Sequence, residues 1–247
     1  MTKRITISTL DAMKASGDKF VMITAYDATF ARLASEAGAE TILVGDSLGM
    51  VLQGHETTIP VSLDAMVYHT ECVARAKPRS LIVADLPFMS FSNSDDALHA
   101  STQLMQAGAQ MVKLEGGTWL SDSINRLVER GVPVCAHLGL TPQSVNVFGG
   151  YRVQGRTPKE AKSILADAVE IQDAGASLLV LECIPAELAG DIASKLDIPV
   201  IGIGAGGGTD AQVLVLHDML GMTESAPKFV QNFMKGADSI QDALATF

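Results

Sequence analysis

Eight short apolar runs recur along the chain, and stretches with the apolar spacing of amphipathic helices separate most of them. A short apolar run bounded by polar residues and glycine is typical of a fully buried parallel strand. Strands that alternate with helices predict parallel βαβ units. The predicted strands are Phe20–Ala25, Thr41–Asp46, Leu81–Asp85, Met111–Glu115, Val132–Leu138, Leu178–Cys183, Pro199–Ala205 and Gln212–Leu216.

The connections contain a weak internal repeat. In three of them a glycine flanked by alanines, at Gly38, Gly108 or Gly175, stands just before a predicted strand. Glycine readily takes the left-handed conformation that ends many helices. A unit of helix, glycine and strand therefore repeats along the chain. The predicted helices are Ala28–Ala37, Leu63–Ala76, Ser94–Ala107 and Lys159–Ala174.

Eight strands in 247 residues predict a (β/α)8 barrel, the TIM-barrel fold, whose active sites lie at the carboxyl ends of the strands. The alternative is a doubly wound open sheet, which would place a ligand at a single switch point. No linker or low-complexity stretch divides the sequence, so we expect one catalytic domain over residues 1–247. The connections Ser47–Leu63 and Gly139–Thr157 are long, which is typical of functional lids.

Four of the predicted strands carry a carboxylate at the carboxyl end, as the last residue at Asp46, Asp85 and Glu115 and as the last but one at Glu182. A charge at the end of a buried strand is costly unless it is paired, hydrogen-bonded or bound to a metal. Because the carboxyl ends of the strands meet at one face of a barrel, these residues predict a single shared site of oxygen ligands.

Asp46 and Asp85 are the predicted metal ligands. Two carboxylates on adjacent barrel strands suit Mg²⁺, which prefers oxygen ligands and keeps several waters. The five histidines and three cysteines show no zinc-ligand spacing. The alternative is that the two aspartates cap the helices or turns that follow them.

Lys113 and Glu115 stand two residues apart on one strand, so both point to the same face. A buried lysine beside carboxylates and a metal could hold an anionic substrate, stabilise an enolate or form a Schiff base; a structural ion pair is the alternative. Cys135 and His137 also share a face, which predicts a core cysteine and a histidine at the barrel mouth. Glu182 ends a wholly apolar strand and is the candidate general acid/base, with a hydrogen-bonded buried glutamate as the alternative.

Charge and composition exclude several classes of function. The net charge of −10 disfavours nucleic-acid binding, which needs clustered lysine and arginine. No apolar run approaches the roughly 20 residues of a transmembrane helix, and no apolar segment follows the first basic residues, so we expect neither a membrane protein nor a signal peptide. Three cysteines without paired spacing, Cys72, Cys135 and Cys183, predict reduced thiols and a cytoplasmic protein.

Eight motifs, in order along nearly the whole chain, point to a family. They begin at Thr24 (TAYD), Val44 (VGDSLGM), Ala84 (ADLPF), Val112 (VKLEGG), Ala136 (AHLGLTPQ), Gly149 (GGYRVQGR), Leu181 (LE) and Gly202 (GIGAG). Together they closely resemble the 3-methyl-2-oxobutanoate hydroxymethyltransferase (ketopantoate hydroxymethyltransferase) family.

The resemblance implies a (β/α)8 barrel of the phosphoenolpyruvate/pyruvate type. It also implies transfer of a hydroxymethyl group from 5,10-methylenetetrahydrofolate to 3-methyl-2-oxobutanoate, which gives 2-dehydropantoate for pantothenate and coenzyme A synthesis. Family members resemble one another in forming large ring-based homo-oligomers, often decamers. By motif match, the implied site residues are Asp46, Asp85 and Glu115 for Mg²⁺; Asp46, Ser47, Asp85 and Lys113 for the oxo acid; and Glu182 as the catalytic acid/base.

The implied chemistry agrees with the residues. A 2-oxo acid offers two oxygens to Mg²⁺, which acts as a Lewis acid and stabilises the enolate formed when C3 loses its proton. Lys113 would add positive charge near the developing oxyanion. One alternative is another metal-dependent 2-oxo-acid aldolase or lyase on the same barrel. A binding protein on an inactive barrel is a second, but it has no reason to retain the full set of charged residues.

Overall fold

In a computed structural model the chain is described over residues 4–224 and 226–247. Eight parallel strands form a closed barrel in the order of the sequence, and the last strand pairs with the first. This closure confirms the predicted (β/α)8 barrel and excludes the open sheet. The strands are β1 (Phe20–Thr24), β2 (Thr41–Val44), β3 (Leu81–Asp85), β4 (Met111–Glu115), β5 (Val134–Gly139), β6 (Leu178–Glu182), β7 (Val200–Ile203) and β8 (Ala211–Leu214).

The four predicted helices are present, each within one residue of its predicted bounds. Gly38, Gly108 and Gly175 follow three of the helices with φ of +113°, +113° and +106°, so the predicted left-handed helix ends are confirmed. The helices are α1 (Ile7–Ser16), α2 (Ala28–Ala37), α3 (Leu48–Val51), α4 (Leu63–Arg75), α5 (Ser94–Gln106), α6 (Ser121–Glu129), α7 (Val145–Phe148), α8 (Pro158–Asp173), α9 (Ala186–Lys195), α10 (Leu216–Met219) and α11 (Ile240–Thr246).

Alternation along the strands separates the two parts of the core. On β3, Ile82 and Ala84 pack outward with the helix residues, whereas Leu81 and Val83 belong to the cluster inside the barrel. Because successive side chains of a strand point to opposite faces, the next inward position on β3 is Asp85. The same alternation on β4, β5 and β6 turns their polar residues inward at the carboxyl end.

Helix α1 packs against the interior cluster at the amino ends of the strands. The side chain of Leu10, on this helix, is fully buried in that cluster. The helix begins with a capping box in which Thr6 and Thr9 exchange hydrogen bonds, and Lys14 pairs with Asp210 at 2.7 Å. One end of the barrel is therefore closed by apolar packing, and the polar site lies at the other end.

Two boundary predictions are wrong in an informative way. The predicted strand ending at Asp46 ends at Val44, so Asp46 lies in the following turn. The predicted strand start at Val132 moves to Val134, because Pro133 has no N–H for the ladder. The two long connections are also less irregular than predicted, since α3 lies in the first and α7 in the second.

The described residues contain no helix long and apolar enough to cross a membrane. The cytoplasmic location stays a prediction. So does the single domain over residues 1–247, of which residues 1–3 and 225 lie outside the described part.

Candidate active site

One cavity of about 770 Å³ opens at the carboxyl ends of the strands. Its deep part is mostly buried and polar, and we call it the floor. Its outer part, which we call the rim, is exposed and formed by connecting segments. The floor comprises Asp46, Ser47, Asp85, Lys113, Glu115, His137 and Glu182, which include every predicted site residue, and the rim comprises Met50, Tyr151, Val153, Lys228 and Phe229.

Strand register places the first ion pair of the floor. Asp85 of β3 lies directly beside Lys113 of β4. Lys113 Nζ is 2.7 Å from Asp85 Oδ1 and 3.6 Å from Glu115 Oε1. Lys113 thus forms the ion pair that the sequence allowed as an alternative, and it also lines the cavity where a substrate anion could reach it.

His137 joins two carboxylates of the floor. Register sets it beside Glu115, and its Nδ1 is 3.2 Å from Glu115 Oε1. Its Nε2 is 3.3 Å from Glu182 Oε2. Glu182 pairs with Gly139 of β5, one step closer to the mouth. A side chain at position 139 would collide with the Glu182 carbonyl oxygen, so glycine allows the two strands to approach there. Cys135 is buried beneath His137, which confirms the predicted core cysteine and mouth histidine.

Asp46 is held by hydrogen bonds of the turn. Its backbone N–H donates to Asp85 Oδ2 at 3.0 Å, and its Oδ2 accepts from Gln143 Nε2 at 2.9 Å. Neither aspartate carboxylate caps the next helix, because Ser47 precedes α3 without a side-chain cap and Asn93 caps α5. The helix-cap alternative for Asp46 and Asp85 is therefore wrong.

Burial and mutual repulsion act together on the two aspartates. Desolvation, followed by the charges of Asp85 and Glu115, raises the pKa of Asp46 well above its ordinary value. Desolvation also raises the pKa of Asp85, although Lys113 opposes the shift. Burial likewise acts to raise the pKa of Glu115, but Lys113 and His137 outweigh it and the pKa is lowered. The floor therefore has more carboxylate than its own cations can neutralise.

The carboxylates of the floor favour the charged forms of its two basic groups, Lys113 and His137, whose nitrogens lie 3.2 Å apart. Burial lowers the pKa of Lys113, but the neighbouring carboxylates, Asp85 first, outweigh it and raise the pKa above its ordinary value. Burial and Lys113 lower the pKa of His137, but Glu115 and Glu182 raise it to about 9. A lysine held as an ammonium ion is a poor nucleophile, so this arrangement disfavours the Schiff base and favours electrostatic binding of an anion.

The donor set of the floor fits Mg²⁺. No group of three or more His, Cys, Asp or Glu residues in the described part of the chain could hold a metal ion by itself. Mg²⁺ needs only one or two carboxylates when substrate and water supply the other ligands, and Asp46 and Asp85 lie at the carboxyl ends of the adjacent strands β2 and β3. Both oxygens of Glu115 have protein contacts, at Gln143 N–H and at His137 and Lys113. Both oxygens of Asp85 do as well, at Lys113 and at the Asp46 N–H.

Three side chains of the site were not assigned from sequence. The side chain of Gln143 donates a hydrogen bond to the Asp46 carboxylate, Tyr26 shares a 2.9 Å hydrogen bond with Ser47, and Tyr151 lies at the rim. All three residues lie inside the motifs given above. Glutamine and tyrosine are uncharged, however, so they do not belong to the pattern of charged strand ends that identified the other site residues. The signal that could have found Gln143 is a polar side chain just after proline at the start of a connection above the site.

The rim contrasts with the floor in chemistry. Met50, Tyr151 and Phe229 are 38%, 51% and 41% exposed, although each lines the cavity. Tyr151 Oη donates to Met50 Sδ at 3.5 Å and so joins the connections after β2 and β5. The ring lines the same cavity as the floor residues, and burial and nearby carboxylates, Glu182 first among them, raise the pKa of Tyr151.

Sequence comparisons agree with the motifs. A family model described as ketopantoate hydroxymethyltransferase matches residues 4–247. A protein of Pseudomonas fluorescens named 3-methyl-2-oxobutanoate hydroxymethyltransferase 2 is 58% identical over 245 residues, 98% of this chain and 92% of its own length. One of Marinobacter nauticus, named 3-methyl-2-oxobutanoate hydroxymethyltransferase, is 58% identical over 244 residues with the same coverage.

Solved structures share the fold at low sequence identity. A putative phosphonomutase from Burkholderia cenocepacia aligns with a TM-score of 0.67 and 18% identity over 88% of this chain and 95% of its own. Phosphonopyruvate hydrolase in complex with oxalate and Mg²⁺ aligns with a TM-score of 0.64 and 14% identity, over 85% of this chain and 80% of its own. 2,3-Dimethylmalate lyase, described as a member of the PEP mutase/isocitrate lyase superfamily, aligns with a TM-score of 0.60 and 16% identity, over 84% of this chain and 80% of its own. At these identities the likenesses are likenesses of fold, and they agree with the predicted barrel.

Proposed function

The chain belongs to the ketopantoate hydroxymethyltransferase family of enzymes, and from that premise we propose a donor, a metal and a role for each floor residue. The donor of the hydroxymethyl group is 5,10-methylenetetrahydrofolate, and the acceptor, 3-methyl-2-oxobutanoate, reacts as its enolate in the presence of Mg²⁺. The observation that carries the proposal is the convergence of Asp46, Asp85, Lys113 and Glu182 on one cavity.

Asp46 and Asp85 hold the metal in this proposal. Bound Mg²⁺ supplies Lewis acidity toward the oxygens of the oxo acid and stabilises the charge of an enolate. The excess of carboxylate in the floor supports a divalent cation there, because desolvation and repulsion from Glu115 raise the pKa of both Asp46 and Asp85, and a bound cation would offset both effects. The related phosphonopyruvate hydrolase structure carries Mg²⁺ with oxalate, a small dianion.

Lys113 and Ser47 position the oxo acid. The ammonium group of Lys113 is buried and charged, so it attracts the substrate carboxylate and stabilises negative charge that develops on the 2-oxo oxygen. Ser47 is oriented by its hydrogen bond with Tyr26 at 2.9 Å. Both residues line the cavity beside the two aspartates.

Glu182 is the general acid/base. Its carboxylate lies at the upper edge of the floor, is 16% exposed and lies 3.3 Å from His137 Nε2. A carboxylate in this position can take the C3 proton of the oxo acid and return a proton later in the cycle. Glu115 supports the metal from outside and holds His137 from the opposite side.

The rim takes the folate. A cavity of about 770 Å³ lies in the range for drug-sized ligands, roughly 300–1,000 Å³, and exceeds what a five-carbon acid fills. The apolar side chains of Met50, Tyr151 and Phe229 suit the flat pterin ring. Lys228, exposed on the same rim, suits the carboxylates of the glutamate tail.

Isotope exchange separates the two halves of the reaction. The protein is incubated in deuterated water with 3-methyl-2-oxobutanoate, with and without Mg²⁺ and with and without the folate, and the C3 proton is followed by NMR. We expect exchange to require Mg²⁺ and product to require the folate. Exchange without product would indicate another metal-dependent 2-oxo-acid aldolase or lyase, and folded protein that gives neither would contradict the proposal.

We also infer a homo-oligomer, as the family resemblance implies, up to the size of a decamer. Large apolar side chains that are exposed in the single chain, among them Trp119 at 63% and Met89 at 61%, support this inference. Light scattering coupled to size-exclusion chromatography tests it, and a monomer at micromolar concentration would contradict it.

A further inference from the structure

We propose that Gln143 is a positioning residue that holds the Asp46 and Glu115 carboxylates in place for Mg²⁺ and the oxo acid. The inference rests on the proposed function of those carboxylates. Gln143 is only 6% exposed, and its hydrogen bonds reach residues at the carboxyl ends of three successive strands.

Local sequence explains how the chain presents Gln143. The residues after β5 form a 3₁₀ turn, Pro142–Ser144, with proline at its first position. The first N–H groups of a helical turn have no partner inside the turn. The N–H of Gln143 is one of these, and it donates to Glu115 Oε2 at 3.0 Å. One carboxylate oxygen of β4 is therefore fixed by the backbone of the β5–α8 connection.

The side chain of Gln143 reaches the two preceding strands. Its Nε2 donates to Asp46 Oδ2 at 2.9 Å and to the carbonyl oxygen of Leu86, just after β3, at 2.9 Å. Both partners are acceptors, so the amide nitrogen must face them, and its two protons are both used. The orientation of the side chain is fixed by the network.

Asp46 depends on this bond more than the other carboxylates do. It lies beyond the end of β2, where no strand ladder holds its backbone. Asp85 has Lys113 and the Asp46 N–H as partners. In the described part of the chain, Gln143 is the side chain that donates a hydrogen bond to the Asp46 carboxylate. A partner that orients a metal-binding carboxylate in this way typically changes metal affinity or activity by about 10- to 100-fold when it is removed.

The variant Gln143→Met tests the proposal, because it keeps the length of the side chain and removes both donors. Gln110→Met is the matched control. Gln110 also uses its amide to tie two strands, accepting from the Ile82 N–H at 3.1 Å, but it precedes β4 and lies at the opposite end of the barrel. Each change keeps the length of the side chain and removes its amide hydrogen bonds, two donated by Gln143 and one accepted by Gln110, and the two sites lie at opposite ends of the barrel.

Calorimetry gives a readout that is independent of turnover. Mg²⁺ is titrated into each protein in the presence of 3-methyl-2-oxobutanoate, without folate, and the melting temperature is recorded in parallel. We expect Gln143→Met to weaken Mg²⁺ binding by about 10- to 100-fold and Gln110→Met to leave it unchanged. In turnover, the KM for the oxo acid should rise while the KM for the folate stays within about twofold.

Equal Mg²⁺ binding by folded Gln143→Met and wild-type protein would overturn the proposal for Gln143. Absence of oxo-acid-dependent Mg²⁺ binding in the wild-type protein would instead overturn the proposed function. If Gln143→Met does not fold, Gln143→Asn decides the matter, because its amide is one methylene too short to reach both acceptors. Folded Gln143→Asn should also bind Mg²⁺ more weakly, and unchanged binding there would overturn the proposal.

Discussion

The floor and the rim of the cavity are built in opposite ways. The floor residues stand mostly on strands, are mostly buried and contact one another as ion pairs, whereas the rim residues stand on connections and are exposed. Strand register gives the floor fixed distances, and the connections give the rim apolar surface. The difference suggests a division of work in which the floor activates the oxo acid and the rim binds the donor.

Of these variants, Glu182→Gln should have the largest effect on catalysis, and the effect should be limited to the proton transfer that we assign to the floor. The amide keeps the shape of the side chain but cannot take the C3 proton, so we expect turnover and C3 exchange to fall by about 10²- to 10⁴-fold. Binding of the oxo acid, measured by calorimetry, should change much less. Wild-type exchange in this variant would remove Glu182 from the proton-transfer step.

Asp85→Ala should damage both binding and stability. The change removes a proposed metal ligand and leaves the buried Lys113 without its 2.7 Å partner. Breaking a buried pair in this way costs about 3–5 kcal/mol of unfolding free energy, and Mg²⁺-dependent binding of the oxo acid should be lost. Chemical denaturation and calorimetry measure the two effects. Asp95→Ala is the control, because Asp95 forms an exposed pair with Arg126 and its loss should cost less than about 1 kcal/mol.

His137 should make the metal-free protein less stable as the pH rises. Its pKa is raised from 6.5 to about 9 in the folded protein. A group with a raised folded pKa contributes stability that is fully present below pH 6.5 and is lost as the pH approaches 9. The loss should be on the order of 3 kcal/mol. His137→Gln should flatten the unfolding free energy between these pH values, and His99→Gln, at an exposed site, should not.

Tyr151→Ala should have the smallest of these effects, and the effect should be limited to binding of the folate, which we assign to the rim. Loss of the proposed aromatic contact with the pterin should cost about 0.5–1.5 kcal/mol, so the KM for the folate should rise by about 3- to 10-fold. C3 exchange without folate should stay as in the wild type. Val147→Ala, an 85% exposed position of the same connection, is the control. A rise in the KM for the oxo acid alone would contradict the division between floor and rim.

The floor could be predicted from sequence to the extent that strand periodicity determines it. β3 and β4 have their predicted bounds, and a period of two placed Lys113 and Glu115 on one inward face. Their exact partners depend on register between strands, which a single sequence does not encode locally. The pairing of His137 with both Glu115 and Glu182 could therefore not be foreseen.

The connections were harder to predict for the same reason. Asp46 and Gln143 are 97 residues apart in sequence, and their hydrogen bond exists only because the barrel closes and brings β2 and the β5–α8 connection together. The helices α3 and α7 are four residues each, too short to produce a periodic pattern. Sequence therefore identified the residue types of the site better than it identified the contacts that orient them.

The most direct test of the division between floor and rim compares two variants in one experiment. Folate-independent, Mg²⁺-dependent C3 exchange of 3-methyl-2-oxobutanoate is measured by NMR in deuterated water for wild type, Glu182→Gln and Tyr151→Ala. We predict that exchange is lost in Glu182→Gln and unchanged in Tyr151→Ala, although both variants turn over more slowly at low folate. Equal loss of exchange in the two variants, or its persistence in Glu182→Gln, would contradict the account.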